Sequence, residues 1–312
     1  MIKNNKTGFA KYAILLGHLA AILTVIAWGS SFIATKVLMV DGGFTPVEVY
    51  AYRFALAYIL LLAVTFKKLW ANSWKEELNF LVCGVCAGSL YFITENYALK
   101  FTTTSNVSLL ASISPIFTTI LMAIVFKTKI KAGEIIGSII AFIGVIFIIF
   151  STGEGFEIKP KGDLLALSAA LSWAIYTIVV KNLIPNYSSL FITRKLFFYG
   201  TLTSLPLLFA QSEPYHFELL WDFNNPQYML NLLFLVAMCS VMAYLLWNET
   251  MKALGPVTAN NYLYGQPLVT MIVAAIILDE RITMMGYIGC VLIIGGLILS
   301  DKLKDAKRFI RK

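Results

Sequence analysis

Apolar residues recur in runs of about twenty along the whole chain, separated by short polar stretches. A hydrocarbon layer ~30 Å thick is crossed by roughly 20 helical residues. An open sheet edge in lipid would leave backbone groups unpaired, so such runs read as helices. The pattern predicts ten spans, at 14–38, 46–66, 78–99, 105–126, 132–151, 162–182, 189–210, 228–250, 257–278 and 283–300. The longest connection runs from Gln211 to Gln227, too short for a soluble domain. The apolar run from Ala13 is longer than a signal-peptide core and no small-residue cleavage site follows it, so it reads as the first span.

The polar positions inside these runs repeat. Moved forward by 152 residues without a gap, Asn96–Ile148 falls on Asn248–Ser300. Asn96 then meets Asn248, Pro115 meets Pro267, Thr118 meets Thr270, Gly137 meets Gly289 and Gly144 meets Gly296. A second echo sets Trp28–Lys36 against Trp173–Lys181 at an offset of 145. Such self-similarity marks two copies of one unit, 1–155 and 156–312 with a basic tail. Five spans per copy is odd, so the second copy enters the membrane inverted. The expected fold is an all-α membrane protein with ten transmembrane helices in two inverted five-helix repeats. Secondary transporters are commonly built this way, with a site near the midplane between the repeats.

Composition agrees with the pattern: 59% of the 312 residues are hydrophobic, 13% are charged, and the mean hydropathy is +0.77. With the N-terminus inside, inner segments hold seventeen basic residues, among them Lys67, Lys68, Lys75, Lys127, Lys129 and Lys131. Outer loops hold four: Lys100, Lys159, Lys161 and Arg281. This bias predicts both termini in the cytoplasm of a multi-pass protein of the inner cell membrane. The net charge of +8 is then a collar for anionic lipid, with no nucleic-acid partner implied.

Few polar residues interrupt the spans. His18 lies near the inner boundary and reads as interfacial. Trp28 lies too deep for an interfacial belt and faces either a neighbouring helix or a cavity. Arg53 reads as an inter-helix clamp to Glu48 or to carbonyls, with Arg194 as its repeat partner. Cys83 and Cys86 have a metal-like spacing, but no second pair completes a zinc set, so they read as packing thiols beside Gly84 and Gly88. Glu95 is a carboxylate within a span, able to bind a proton or to face a cation; its alternative is a pair with Lys100 or Arg53. Glu249 reads as an ordinary pair with Lys252. Pro115 and Pro267 sit mid-span behind Ser112-Ile113-Ser114 and Tyr264-Gly265-Gln266, where they would kink the helices. Polar breaks in matching positions of two halves point to a transporter site. Gly133, Gly137 and Gly144, with Gly286, Gly289, Gly295 and Gly296, make the fifth and tenth spans packing helices.

The stretches WGSSFIATK, FTPVEVYAYRFALA, GDLLALSAALSWAIYTIVVK and GQPLVTMIVAAIILDERIT, with the Asn96–Ile148 block, resemble the EamA-type members of the drug/metabolite transporter superfamily. The resemblance covers nearly the whole chain and both halves. It implies export of small metabolites, amino acids or related compounds, through a central cavity lined by the first, third, fourth, sixth, eighth and ninth spans. That cavity would include Trp28, Tyr91, Glu95, Trp173, Tyr176, Tyr244, Asn261, Tyr264 and Gln266. The family often carries an acidic residue after both the fourth and ninth spans. Here Asp279-Glu280 has Lys127-Thr128 as its counterpart, so Glu280 reads as a structural cap or loop contact.

Aromatic and amide groups suit an amino-acid-like or organic-amine substrate, with protons as a candidate coupling ion. Nucleotide-linked sugars are the alternative substrate class, but no basic group lies at the midplane. A facilitative, channel-like permease is the alternative mechanism. No cofactor or metal set is written in the chain, and no catalytic motif suggests an enzyme. Composition leaves the oligomeric state open.

Overall fold

The structure is a computed structural model describing residues 2–102, 104–151, 158–277 and 282–309. Its regular structure is all helical, with no strand among these residues. Eight helical segments among the described residues are long and apolar enough to cross a membrane. In chain order the helices are α1 (Ile2–Lys36), α2 (Pro46–Thr65), α3 (Trp74–Ala98), α4 (Thr104–Ala111), α5 (Ser114–Phe126) and α6 (Ala132–Ser151). They continue as α7 (Pro160–Leu183), α8 (Ser189–Ala210), α9 (Gln227–Leu254), α10 (Pro256–Asn261), α11 (Gln266–Ile277) and α12 (Met284–Phe309).

Two segments read as spans are not among the eight. One is α8, which carries the buried cations Arg194 and Lys195. The other is the ninth, where α10, a 3-10 turn at Tyr262–Gly265 and α11 replace one continuous rod. The fourth is broken likewise between α4 and α5. This corrects the expected kinks at Pro115 and Pro267. Each proline occupies the second position of a new helix, where its missing N–H has no intrahelical carbonyl to bond.

Local signals start the other helices. Thr45 caps α2: its hydroxyl accepts the Glu48 N–H at 3.1 Å while the Glu48 carboxylate accepts the Thr45 N–H at 2.9 Å. Ser73 and Ser188 cap α3 and α8. Gly255 joins α9 to α10 at φ +82°, a backbone conformation costly for any residue with a Cβ.

Helix packing follows a rule of exchange by six. The pair α1–α9 is matched by α7–α3, and α1–α11 by α7–α5. The pairs α2–α8 and α6–α12 map onto themselves. The α6–α12 seam shows the rule at atomic level. A methyl group built on Gly137 would lie 2.6 Å from the Gly296 carbonyl oxygen, and one on Gly296 would lie 2.6 Å from that of Gly137. Gly144 and Gly289 block each other the same way at 2.7 Å. Because Gly137 repeats as Gly289 and Gly144 as Gly296, this contact is isologous, each residue touching the repeat partner of the other. Away from the seam, Ile135, Ile139, Ile143, Val291, Ile294 and Ile298 are exposed, as a lipid-facing surface requires.

Candidate functional site

Four helices, α1, α3, α7 and α9, converge on a cluster of rings. Trp28 of α1 meets Trp173 of α7 edge-on, centroids 5.2 Å apart at 89°. It also meets Tyr244 and Trp247 of α9 at 5.3 and 5.1 Å. Trp173 touches Tyr176 of its own helix at 5.1 Å and Tyr91 of α3 at 5.6 Å. All are buried except Tyr91, which is partly buried. Edge-to-face pairs of this kind are worth ~0.5–1.5 kcal/mol beyond their burial.

The backbone beside the rings is irregular. In α3 the residues Val85–Ser89 form a π turn, and in α9 the residues Leu235–Met242 do the same. Moved by the repeat offset, the first falls inside the second. A π turn releases carbonyls from the helical ladder and often marks a working site. Here the released carbonyls accept from side chains across the halves. Trp28 Nε1 donates to Cys239 O at 2.9 Å, Tyr244 Oη to Ala87 O at 3.1 Å, and Ser172 Oγ to Cys86 O at 2.5 Å. Trp173 Nε1 donates to Asn260 Oδ1 at 3.0 Å. The Tyr176 hydroxyl and the Trp247 indole N–H are buried with no partner among the described residues.

Charge enters from one side. Glu95 is buried on α3, and the Tyr91 hydroxyl donates to its Oε1 at 2.8 Å. Neither expected cation pairs with it: Lys100 Nζ lies over the Tyr97 ring, and Arg53 turns to α9. Arg53 Nε donates to Ser240 Oγ at 2.5 Å and Nη2 to Cys239 O at 3.0 Å. It is thus a clamp onto carbonyl and hydroxyl, as one sequence reading held, and not a partner of Glu48. Glu48 instead accepts from the His216 backbone N–H at 2.7 Å and the Tyr52 hydroxyl at 3.1 Å, tying the α8–α9 connection to the start of α2.

At the other end α3 and α8 are fastened by a buried ion pair. Lys195 and the Tyr199 hydroxyl both donate to Glu77 Oε1, and the Ala71 N–H donates to Oε2 at 2.8 Å. Beside it Arg194 caps the end of α2, donating to the carbonyls of Thr65, Lys68 and Leu69.

The structure therefore gathers Trp28, Tyr91, Glu95, Trp173, Tyr176 and Tyr244, but not Asn261, Tyr264 and Gln266. Asn261 Nδ2 donates to Ser300 Oγ of α12 at 2.9 Å. Tyr264 is buried among Ala141, Val145, Ile148 and Ile293. Gln266 opens α11, where its carbonyl accepts from Thr270 at 3.0 Å. Asn261 and Tyr264 thus lie at the α6–α12 seam, while the Gln266 carbonyl faces Gly29 of α1. Trp247, absent from the expected set, sits in the centre; it is the residue that the 152-residue offset lays over Glu95. The cysteines Cys83 and Cys86 are free and buried, and Gly84 and Gly88 pack against Tyr199 and Tyr50. Glu249 has Lys252 at 4.0 Å. His18 bonds the Tyr262 hydroxyl at 2.5 Å. Asp279, Glu280 and Arg281 lie outside the described residues.

Long apolar helices enclose this buried aromatic and charged interior. The profile of the EamA-like transporter family matches the chain twice, over residues 15–150 and 160–300. The chain belongs to that family. It is 30% identical over 289 residues to an uncharacterised transporter of Archaeoglobus fulgidus, covering 91% of this chain and 96% of the relative. It is 26% identical over 292 residues to a probable amino-acid metabolite efflux pump of Escherichia coli, covering 90% and 93%. A solved crystal structure at 18% identity superposes with a TM-score of 0.75, covering 96% of this chain and 99% of its own, and shows the same fold.

Proposed function

We propose that the protein is a secondary transporter that exports small amino-acid-like or organic-amine solutes by alternating access of two inverted five-span repeats. In this reading α4–α5 and α10–α11 are each one broken span and α8 is a full span. The total is then ten, with the repeats at 1–155 and 156–312 and both termini in the cytoplasm of the inner membrane. The observation that carries the reading is the matched pair of π turns, whose free carbonyls are capped by side chains of the opposite half around one aromatic cluster. Two similar halves meeting at such a centre can trade conformations, as inverted-repeat carriers do. Trp28, Tyr91, Trp173, Tyr176 and Tyr244 offer ring faces to a cationic group, and Glu95 offers it a carboxylate or a proton acceptor. Asn261 and Tyr264 stand at the α6–α12 seam, and Gln266 opens α11 beside Gly29 of α1. The name of the Escherichia coli relative supports export and the substrate class.

The test is counterflow of radiolabelled amino acids in proteoliposomes at two pH values, wild type beside Glu95→Gln. Saturable, pH-dependent uptake lost in the variant is expected of a proton-coupled carrier. Saturable uptake indifferent to pH and to the substitution assigns facilitated diffusion and leaves Glu95 as a structural partner of Tyr91. A flux that never saturates contradicts the carrier reading.

A further inference from the structure

Arg53 carries the second charge of this centre. Its guanidinium is buried on α2 about two turns from the Pro46 end, and Glu95 lies about two turns from the matching end of the helix that continues α3 to Phe101. Arg53 lies over the Phe92 ring, 5.2 Å from its centroid, and Phe92 touches Tyr91, whose hydroxyl bonds Glu95. Yet among the described ion pairs neither residue appears. Arg53 is bonded only to neutral acceptors, Ser240 Oγ and Cys239 O, and Glu95 only to the neutral phenol of Tyr91. Arg53 Nη1 and Glu95 Oε2 make no bond to any described residue. Elsewhere in the molecule a buried charge is treated differently: Lys195 and Glu77 close directly on each other.

A buried charge left without a counter-ion is costly, and two such charges of opposite sign would ordinarily collapse together. Here Arg53 is bonded to Ser240 and the Cys239 carbonyl, and Glu95 to Tyr91. Arg53 thus ends on the π turn of α9 with Nη1 unbonded and Glu95 has Oε2 unbonded among the described residues, so a solute carrying an anion and a cation can complete both. We propose that Arg53 is a substrate-binding residue that takes the carboxylate of a zwitterionic solute whose ammonium group faces Glu95. This rests on the transport reading above and narrows it: solutes with both charges are favoured over amines that lack the carboxylate.

The experiment is competition against counterflow of a labelled amino acid in proteoliposomes. Three unlabelled competitors share its side chain: the amino acid, its methyl ester and its decarboxylated amine. A site built to bond a group rejects an analogue lacking it, so ester and amine should compete at least ~10-fold more weakly than the amino acid. Arg53→Gln should erase that preference, and Arg53→Lys, which keeps the charge, should keep part of it. A wild type that accepts the amine as readily as the amino acid overturns the assignment. So does an Arg53→Gln variant that weakens all three competitors equally, which would leave Arg53 as a clamp. If Arg53→Gln yields no folded protein by size exclusion, the wild-type series alone decides. Absence of saturable flux for every solute contradicts the transport reading itself, a result distinct from flux without discrimination.

Discussion

The α6–α12 seam and the α1–α3–α7–α9 centre obey the same exchange of halves but are built of opposite materials. At the seam the repeat is kept in residue type: glycine meets glycine, backbone lies on backbone, and each contact has its twin. At the centre the repeat is kept in backbone shape, through the two π turns, and broken in side-chain chemistry. Where α3 carries Glu95, α9 carries Trp247, and where α3 carries Phe92, α9 carries Tyr244. The seam can afford no change because a Cβ has nowhere to go. The centre, packed through side chains, tolerates different residues at matching positions.

Substitutions separate the two regions, and the largest effect belongs to the seam. In Gly144→Leu a side chain meets the Gly289 carbonyl, which is backbone and cannot rotate away. Ordinary overpacking costs ~1–3 kcal/mol, and we expect this case to exceed it, read as loss of the monodisperse size-exclusion peak. Next comes the tie between α3 and α8. Lys195→Met strands the Glu77 carboxylate in a buried site, and breaking a buried pair from one side costs about 3–5 kcal/mol. Thermal unfolding in detergent should show it, with Glu77→Gln in the same chain restoring part of the loss. The smallest effect on stability is expected at the centre. Trp28→Phe keeps a ring against Trp173 but removes the donor to the Cys239 carbonyl, worth about 0.5–1.5 kcal/mol. Its effect on counterflow should exceed its effect on melting. A variant that melts early yet transports normally would erase the distinction drawn between seam and centre.

Much of the seam was legible in the sequence, because glycines at matching positions of a gapless repeat have one physical meaning, close approach of backbones. The ring cluster was half legible. Trp28 and Trp173 declare themselves by depth and by their echo, and Tyr91 and Glu95 share a helix face. Trp247 was visible to the same offset, as the counterpart of Glu95, but a repeat search that looks for identical letters passes over a pair that differs. Asn261 and Tyr264 lie away from the ring cluster for a backbone reason. The sequence predicts one continuous helix over 257–278; the 3-10 turn at Tyr262–Gly265 interrupts it, and Asn261 and Tyr264 pack at the seam. The π turns carry no sequence signature of their own: Val85–Ser89 and Leu235–Met242 are apolar stretches with small residues, like many regular helices. Their role depends on donors that arrive from the other half, Trp28, Tyr244, Ser172 and Arg53, which only the fold brings near.

The claim that the halves trade conformations about a fixed seam is tested most directly by distances between pairs of spin labels, with and without a transported solute. One pair at exposed Val40 and Phe223 reports the end that holds the α8–α9 connection. A second at exposed Lys67 and Asn182 reports the opposite end, and a third at exposed Ile136 and Ile298 reports the seam. The account predicts that the first two distances change in opposite directions on adding solute while the third stays constant. Two ends that widen together, or a seam that moves with them, would contradict it.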